Sequence, residues 1–135
     1  MKKKLKKNLS VNIKKRLHKK AWALMSEWTR RSERGICFTC GDRKHWKRQF
    51  AGHYIHKNCL DYEDINIHCQ CQRCNFFLSG NLGIYGEKMV KTYGQTMIDA
   101  LRFKSEQIKK FTIDELETII DVLEVKIGVL NERSN

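Results

Sequence analysis

The chain has 135 residues, 41% of them hydrophobic, and a formal net charge of +12, which bounds it to one modest domain or a finger with helical flanks. No apolar stretch reaches membrane-spanning length, and the N-terminal lysine run leads into an amphipathic segment rather than a leader-like one, so a soluble, cytoplasmic chain is expected. The charge is lopsided: residues 1–50 hold seventeen Lys plus Arg against three acids, leaving about −2 for the rest, so a polyanion is expected at the N-terminal part.

Taken in order, residues 1–11 read as a basic flexible arm, because like charges discourage a packed structure. Residues 12–34 read as a basic amphipathic helix. Leu17, Ala21, Leu24 and Trp28 mark its apolar stripe, and Gly35 marks a left-handed stop. Lys14, Lys15, Arg16, Lys19, Lys20, Arg30 and Arg31 lie on its other faces or ends, where they are expected to meet phosphates. Residues 35–95 carry the chemistry. Cys37 and Cys40, then Cys71 and Cys74, form two Cys-x-x-Cys pairs, and Gly41 supplies the positive φ that such a turn needs. Four thiolates at this spacing suit a tetrahedral structural zinc, whereas Cys59 and Cys69 read as packing residues. In a reducing cytosol zinc is expected rather than disulfides.

Arg43, Lys44, Lys47 and Arg48 flank His45 and Trp46 in a basic loop suited to phosphate contact. A strand is expected over Phe50–Lys57 with His53 near its middle, and a second over Ile65–His68. A helix is expected from about Asn75, short helices near Glu87–Tyr93 and Thr96–Gln107, and C-terminal helices over 96–135. The last of these opens on the capping box Thr112–Glu115 and carries the stripe Ile113, Leu116, Ile120, Leu123, Ile127, Leu130. That stripe suits either the N-terminal helix or a second subunit, so a homodimer through the helical ends is an expectation.

His53 in a strand, Asn66 five residues before Cys71, and Asn75 directly after Cys74 together resemble the HNH, or His-Me finger, nucleases. The segments SEWTRRSE, CFTCG, QFAGHY, NIHCQCQRCN and SGN, with Tyr85, resemble the NinG (Rap) family of phage recombination proteins across most of residues 15–95. The resemblance implies a small α+β fold, a zinc-stapled ββα-metal finger between helical flanks. It implies a metal-dependent endonuclease acting on branched DNA, such as Holliday junctions or flaps, in a bacterial host cell. His53 would be the general base, Asn66 the residue that holds the hairpin, and Asn75 a ligand of catalytic magnesium or manganese. Many HNH enzymes place an Asp before the base histidine, but this chain has Gly52, and His68, His56, Asp64 or water is left to supply the second ligand. The competing reading is a non-catalytic zinc-containing DNA- or RNA-binding module.

Overall fold

The computed structural model describes residues 1–133, which divide into two compact units, residues 1–25 with 110–133 and residues 26–109. Helix α1, Lys2–Ser32, contributes to both. It begins at Lys2, ten residues before the sequence reading placed it, so the arm expected to be flexible is helical. Lysine and leucine are good helix formers, and a helix already nucleated by its packed turns extends at little cost into such residues.

In the first unit, Ala21 and Met25 of α1 are buried, one position away from the expected Leu24, which is only half-covered. Helix α4, Ile113–Arg133, opens on the expected capping box. The Glu115 N–H donates to Thr112 Oγ1 at 3.1 Å, and the Thr112 N–H donates to Glu115 Oε2 at 2.8 Å. Its stripe residues Leu116, Ile120, Leu123 and Ile127 are buried, each worth about 1.5–3 kcal/mol when fully covered. The two helices meet through a Lys20–Glu124 ion pair at 3.1 Å and the His18 ring against Phe111 at 5.8 Å.

The second unit is a two-stranded antiparallel sheet held between a cysteine cage and two helices. Strand β1, Phe50–His53, pairs with β2, Ile67–Gln70, in the register Phe50 to Gln70 and Gly52 to His68. His53 therefore ends its strand instead of sitting mid-strand, and β2 starts two residues later than expected. The cause is Asn66, whose side chain fixes the turn before it (below). Where a helix was expected from Asn75, a π-helical turn runs Arg73–Phe77, and α2 follows as Leu82–Tyr93. Helix α3, Gln95–Ser105, belongs to this unit and not with the C-terminal helix, because Ile98 and Leu101 bury beside Tyr85 and Met89 of α2 and beside Cys59 and Leu60. Phe38, Tyr54, Ile55, Ile65 and Tyr93 pack around that cluster, and Cys59 is a packing residue within it.

The end of α1 is tied into this unit. The Gly35 N–H donates to Arg30 O at 2.9 Å, with Arg34 at φ +57° and Gly35 at φ +66°. A Cβ at Gly35 would sit 1.9 Å from Lys44 O, so only glycine lets the first knuckle lie this close. Gln49 fastens the same place, its Nε2 donating to Gly35 O at 2.8 Å and Asp42 O at 3.1 Å.

Candidate metal centre and the strand beside it

The first knuckle turns on Gly41 at φ +79°, where the Gly41 N–H donates to Cys37 O at 2.8 Å. The second is built by the π-helical turn, with the Asn75 N–H on Cys71 O at 2.9 Å and the Gly80 N–H on Cys74 O at 2.8 Å. Folding brings all four sulfurs within 4.8 Å of one another, and Cys40 Sγ lies 3.6 Å from Cys71 Sγ. A tetrahedron with zinc–sulfur bonds of about 2.3 Å has edges of about 3.8 Å, so this donor set fits zinc with only small adjustment. Four ligands leave no open position, so an ion held there would be structural.

The sulfurs compete for ionisation when no cation compensates them. Burial opposes the Cys37 thiolate, but hydrogen bonds from Thr39 and from backbone amides of Cys71, Cys40 and Thr39 outweigh it and bring that thiol down to about 6. Burial, with crowding by the other three sulfurs, pushes Cys40 up to about 12, although its residue surface is exposed. Asn81, left-handed at φ +51°, donates Nδ2–H to Cys74 Sγ at 3.6 Å, and the Cys74 N–H lies 3.5 Å from Cys71 Sγ. Such N–H···S bonds neutralise part of the thiolate charge.

The sheet next to the cage carries the remaining residues. Asn66 is fully buried and clamps the chain just beyond His53: its Oδ1 accepts from the Ile55 N–H at 2.9 Å, and its Nδ2 donates to Ile55 O at 3.0 Å. His53 Nε2 lies at ion-pair distance, 3.2 Å, from Asp61 Oδ1, and the exposed His56 ring is 5.5 Å away. Asn75, half-buried in the π-helical turn, brings Oδ1 to within 2.9 Å of where a Gly52 Cβ would be. Gly52 and His53 are adjacent on β1, so Asn75 approaches one face of the strand and the imidazole leaves from the other. The Tyr85 hydroxyl donates to Gly52 O at 2.8 Å, which gives this buried tyrosine a part in fixing β1 that its sequence position did not suggest.

His68 does not take the position of a ligand. It is buried, stacked on Phe38 at 4.0 Å, with Nδ1 2.5 Å from Glu33 Oε1 and Nε2 3.0 Å from the Tyr93 hydroxyl. Both nitrogens are committed inside the fold, so the second-ligand expectation placed on His68 is corrected to a bracing role. Glu33 completes the brace by accepting the Cys69 N–H on Oε2 at 2.6 Å. Glu33, Asp61 and Gln70 were all missed as site residues, since each acts across a distance in sequence that carries no spacing signal. Gln70 is fully buried; its Nε2 donates to Gly80 O at 2.8 Å and to Thr39 Oγ1 at 3.2 Å, while its Oε1 has no hydrogen-bond partner among the described residues. An unmet buried carbonyl costs about 1–3 kcal/mol.

The basic residues divide into two groups. Lys15, Arg16, Lys19 and Lys20 are exposed on α1 in the first unit, and Lys14 is half-covered there. In the second unit Arg30, Arg31 and Lys47 surround the Trp46 ring, their charged groups 5.1, 5.6 and 5.6 Å from its centroid. Arg30 is spent on the carbonyls of Ser26 (3.0 Å) and Trp46 (3.3 Å), and burial lowers its pKa, so it supports the loop more than it faces solvent. Arg31 pairs with Glu27 at 3.0 Å and Lys44 with Asp42 at 2.9 Å, while Arg43 and Arg48 are exposed. Among the described residues no helix is long and apolar enough to cross a membrane.

Comparison with known proteins shows the family of the chain. The family model described as bacteriophage Lambda NinG protein matches residues 1–133. Protein ninG of Escherichia phage lambda is 30% identical over 123 residues, covering 86% of this chain and 58% of that protein. Protein ninG of Escherichia phage 933W is 29% identical over 123 residues, covering 86% of this chain and 59% of that protein. The chain thus spans a little under three-fifths of the length of the curated relatives it matches. No solved structure matches it. With the family model matching nearly end to end, the chain belongs to the bacteriophage Lambda NinG protein family.

Proposed function

We propose that this protein is a metal-dependent DNA endonuclease of the HNH, or His-Me finger, type, acting on branched recombination intermediates such as Holliday junctions or flaps. The observation that supports it is the placing of His53, beside Asp61, and of Asn75 Oδ1, at Gly52, on adjacent positions at the end of β1 in a chain that also carries a four-sulfur cage. The ββα description follows the same reading, with the π-helical turn and α2 taking the helical place.

Magnesium or manganese, when bound, would stabilise charge on the phosphoryl oxygens and on the leaving oxygen. Hard oxygen donors fit such a cation, and Asn75 Oδ1 supplies one. His53 takes the proton of an attacking water on Nδ1 while Asp61, beside Nε2, stabilises the imidazolium that forms. The water oxygen bonds to phosphorus, the phosphorus–oxygen ester bond breaks, and solvent protonates the departing alkoxide. Asn66 keeps the segment after His53 from shifting by its two bonds to Ile55. Exposed lysines and arginines of α1 and the loop around Trp46 meet the phosphate backbone. Symmetric cutting of a four-way junction calls for two sites, and the outer face of α4 exposes Val122, Val125 and Val129 to a second copy.

Zinc-loaded protein is incubated with labelled four-way, flap and linear duplex DNA and with single-stranded RNA, with and without magnesium or manganese, beside His53→Ala. Cation-dependent cleavage of branched DNA that falls about 10²–10⁴-fold in His53→Ala, with DNA binding retained, is the expected result. Binding without cleavage by the parent protein, or cleavage undiminished in His53→Ala, would replace the nuclease with a zinc-clipped binding module.

A further inference from the structure

The missing acidic residue before His53 leaves a question that the strand register answers. Gly52 opens a space in which a Cβ would stand 1.9 Å from Gln70 Oε1 and 2.9 Å from Asn75 Oδ1. Gln70 Oε1 thus fills the room left by the glycine, with Asn75 Oδ1 beside it. The orientation of the Gln70 amide is not arbitrary, because Nε2 must donate to the Gly80 carbonyl, which turns Oε1 toward Gly52. That oxygen is buried on a fully covered side chain and has no hydrogen-bond partner among the described residues. Gln49 Oε1 is also without one, but it meets no glycine's Cβ position with a second side-chain oxygen beside it. Buried carbonyls in this state call for a water or an ion.

We infer that Gln70 Oε1 is the second protein ligand of the divalent cation held by Asn75, taking the place that a carboxylate at position 52 would have filled. The inference deepens, and rests on, the reading of β1 as the edge of a cation-assisted site. Gly52 and Gln70 lie on diagonal positions of the two strands, and a long side chain reaches across that diagonal. Oxygens in neighbouring positions around magnesium, with bonds of about 2.1 Å, are about 3 Å apart, and both of these oxygens lie within 2.9 Å of one point beside Gly52. The Thr39 hydroxyl joins the two centres: it accepts from Gln70 Nε2 at 3.2 Å and lies 3.2 Å from Cys37 Sγ, so the zinc knuckle sets the aim of the amide.

The test uses zinc-loaded full chain labelled with ¹⁵N-glutamine and titrated with manganese. The Gln70 side-chain amide resonances are expected to broaden first among the glutamines. Manganese affinity, read by electron paramagnetic resonance, is expected to fall by about tenfold or more in Gln70→Leu and in Gly52→Ala, whose new Cβ displaces the oxygen. Sharp Gln70 signals while other glutamines broaden, or unchanged affinity in a folded Gln70→Leu, would overturn the assignment. If that variant loses its fold, double resonance on ¹³C-glutamine-labelled parent protein decides, by a Cδ coupling to manganese that only direct ligation gives. That coupling without any cleavage would uphold the ligand and reject the nuclease; cleavage without it would do the reverse.

Discussion

Replacing Glu33 tests whether the brace between the end of α1 and β2 carries the stability attributed to it. One carboxylate meets two buried partners, the His68 ring at 2.5 Å and the Cys69 amide at 2.6 Å, and His68 itself is buried against Phe38. Hydrogen bonds to a charged group are worth about 1.5–3 kcal/mol each, and the Glu33 side chain, 28% exposed, allows water to recover part of that. A net cost of about 3 kcal/mol is expected for Glu33→Ala, mostly from the Cys69 N–H and His68 Nδ1 left without a partner. In a domain of this size that corresponds to a fall in Tm of about 12–20 °C, with Glu33→Gln, which can accept from one partner at a time, falling about half as far. Thermal melts followed by near-ultraviolet circular dichroism, at saturating zinc so that metal loss does not contribute, measure it. A Glu33→Ala melt within about 3 °C of the parent would show that the two short contacts are replaced by water at no cost, and the reasoning would fail.

Two further outcomes follow from the cage and the tyrosines. The protein should carry one zinc per chain, and chelation should abolish the near-ultraviolet signal of the 26–109 unit, because structural zinc contributes about 10–16 kcal/mol of apparent folding free energy; a signal unchanged after complete zinc removal would contradict this. Burial, then Asp61, raises Tyr62 to about 12, and burial also raises Tyr85 and Tyr93, so the folded state keeps protons that the unfolded chain loses above about pH 10. Stability should therefore be intact below about pH 10 and decline as pH rises beyond it, with three of the four tyrosines ionising late in an absorbance titration. Simultaneous ionisation of all four at the ordinary value would refute it.

The parts of the fold that were legible are those written in local spacing. The capping box at Thr112, the α4 stripe, the Gly35 and Gly41 turns and the four-cysteine cage each depend on residues a few positions apart, or on two such groups brought to one ion. Boundaries set by long-range partners were not legible. β1 stops at His53 because Asn66, thirteen residues on, captures the backbone of Ile55 in both directions. The π-helical turn after Arg73 follows the demands of the cage, where Cys71 and Cys74 must both face inward while Asn75 turns back toward β1. A 3.6-residue period has no means of announcing that.

The site divides along the same line. His53, Asn66 and Asn75 were singled out by order and spacing, but the partners the fold gives each of them were not. Asp61 reaches His53 from a 3-10 turn, and Glu33 takes His68 out of contention from the far end of another element. Gln70 is the sharpest case, since a glutamine directly before the second cysteine pair reads as a spacer and a glycine before His53 reads as a loss. Only the register Phe50 to Gln70 shows that the glycine and the glutamine are one feature. The side chain absent at 52 is the room that the side chain at 70 occupies. A carboxylate exchanged for an amide also leaves the pocket neutral. A cation there would be held weakly until a phosphate adds its charge, and retention of metal and docking of nucleic acid would then strengthen each other.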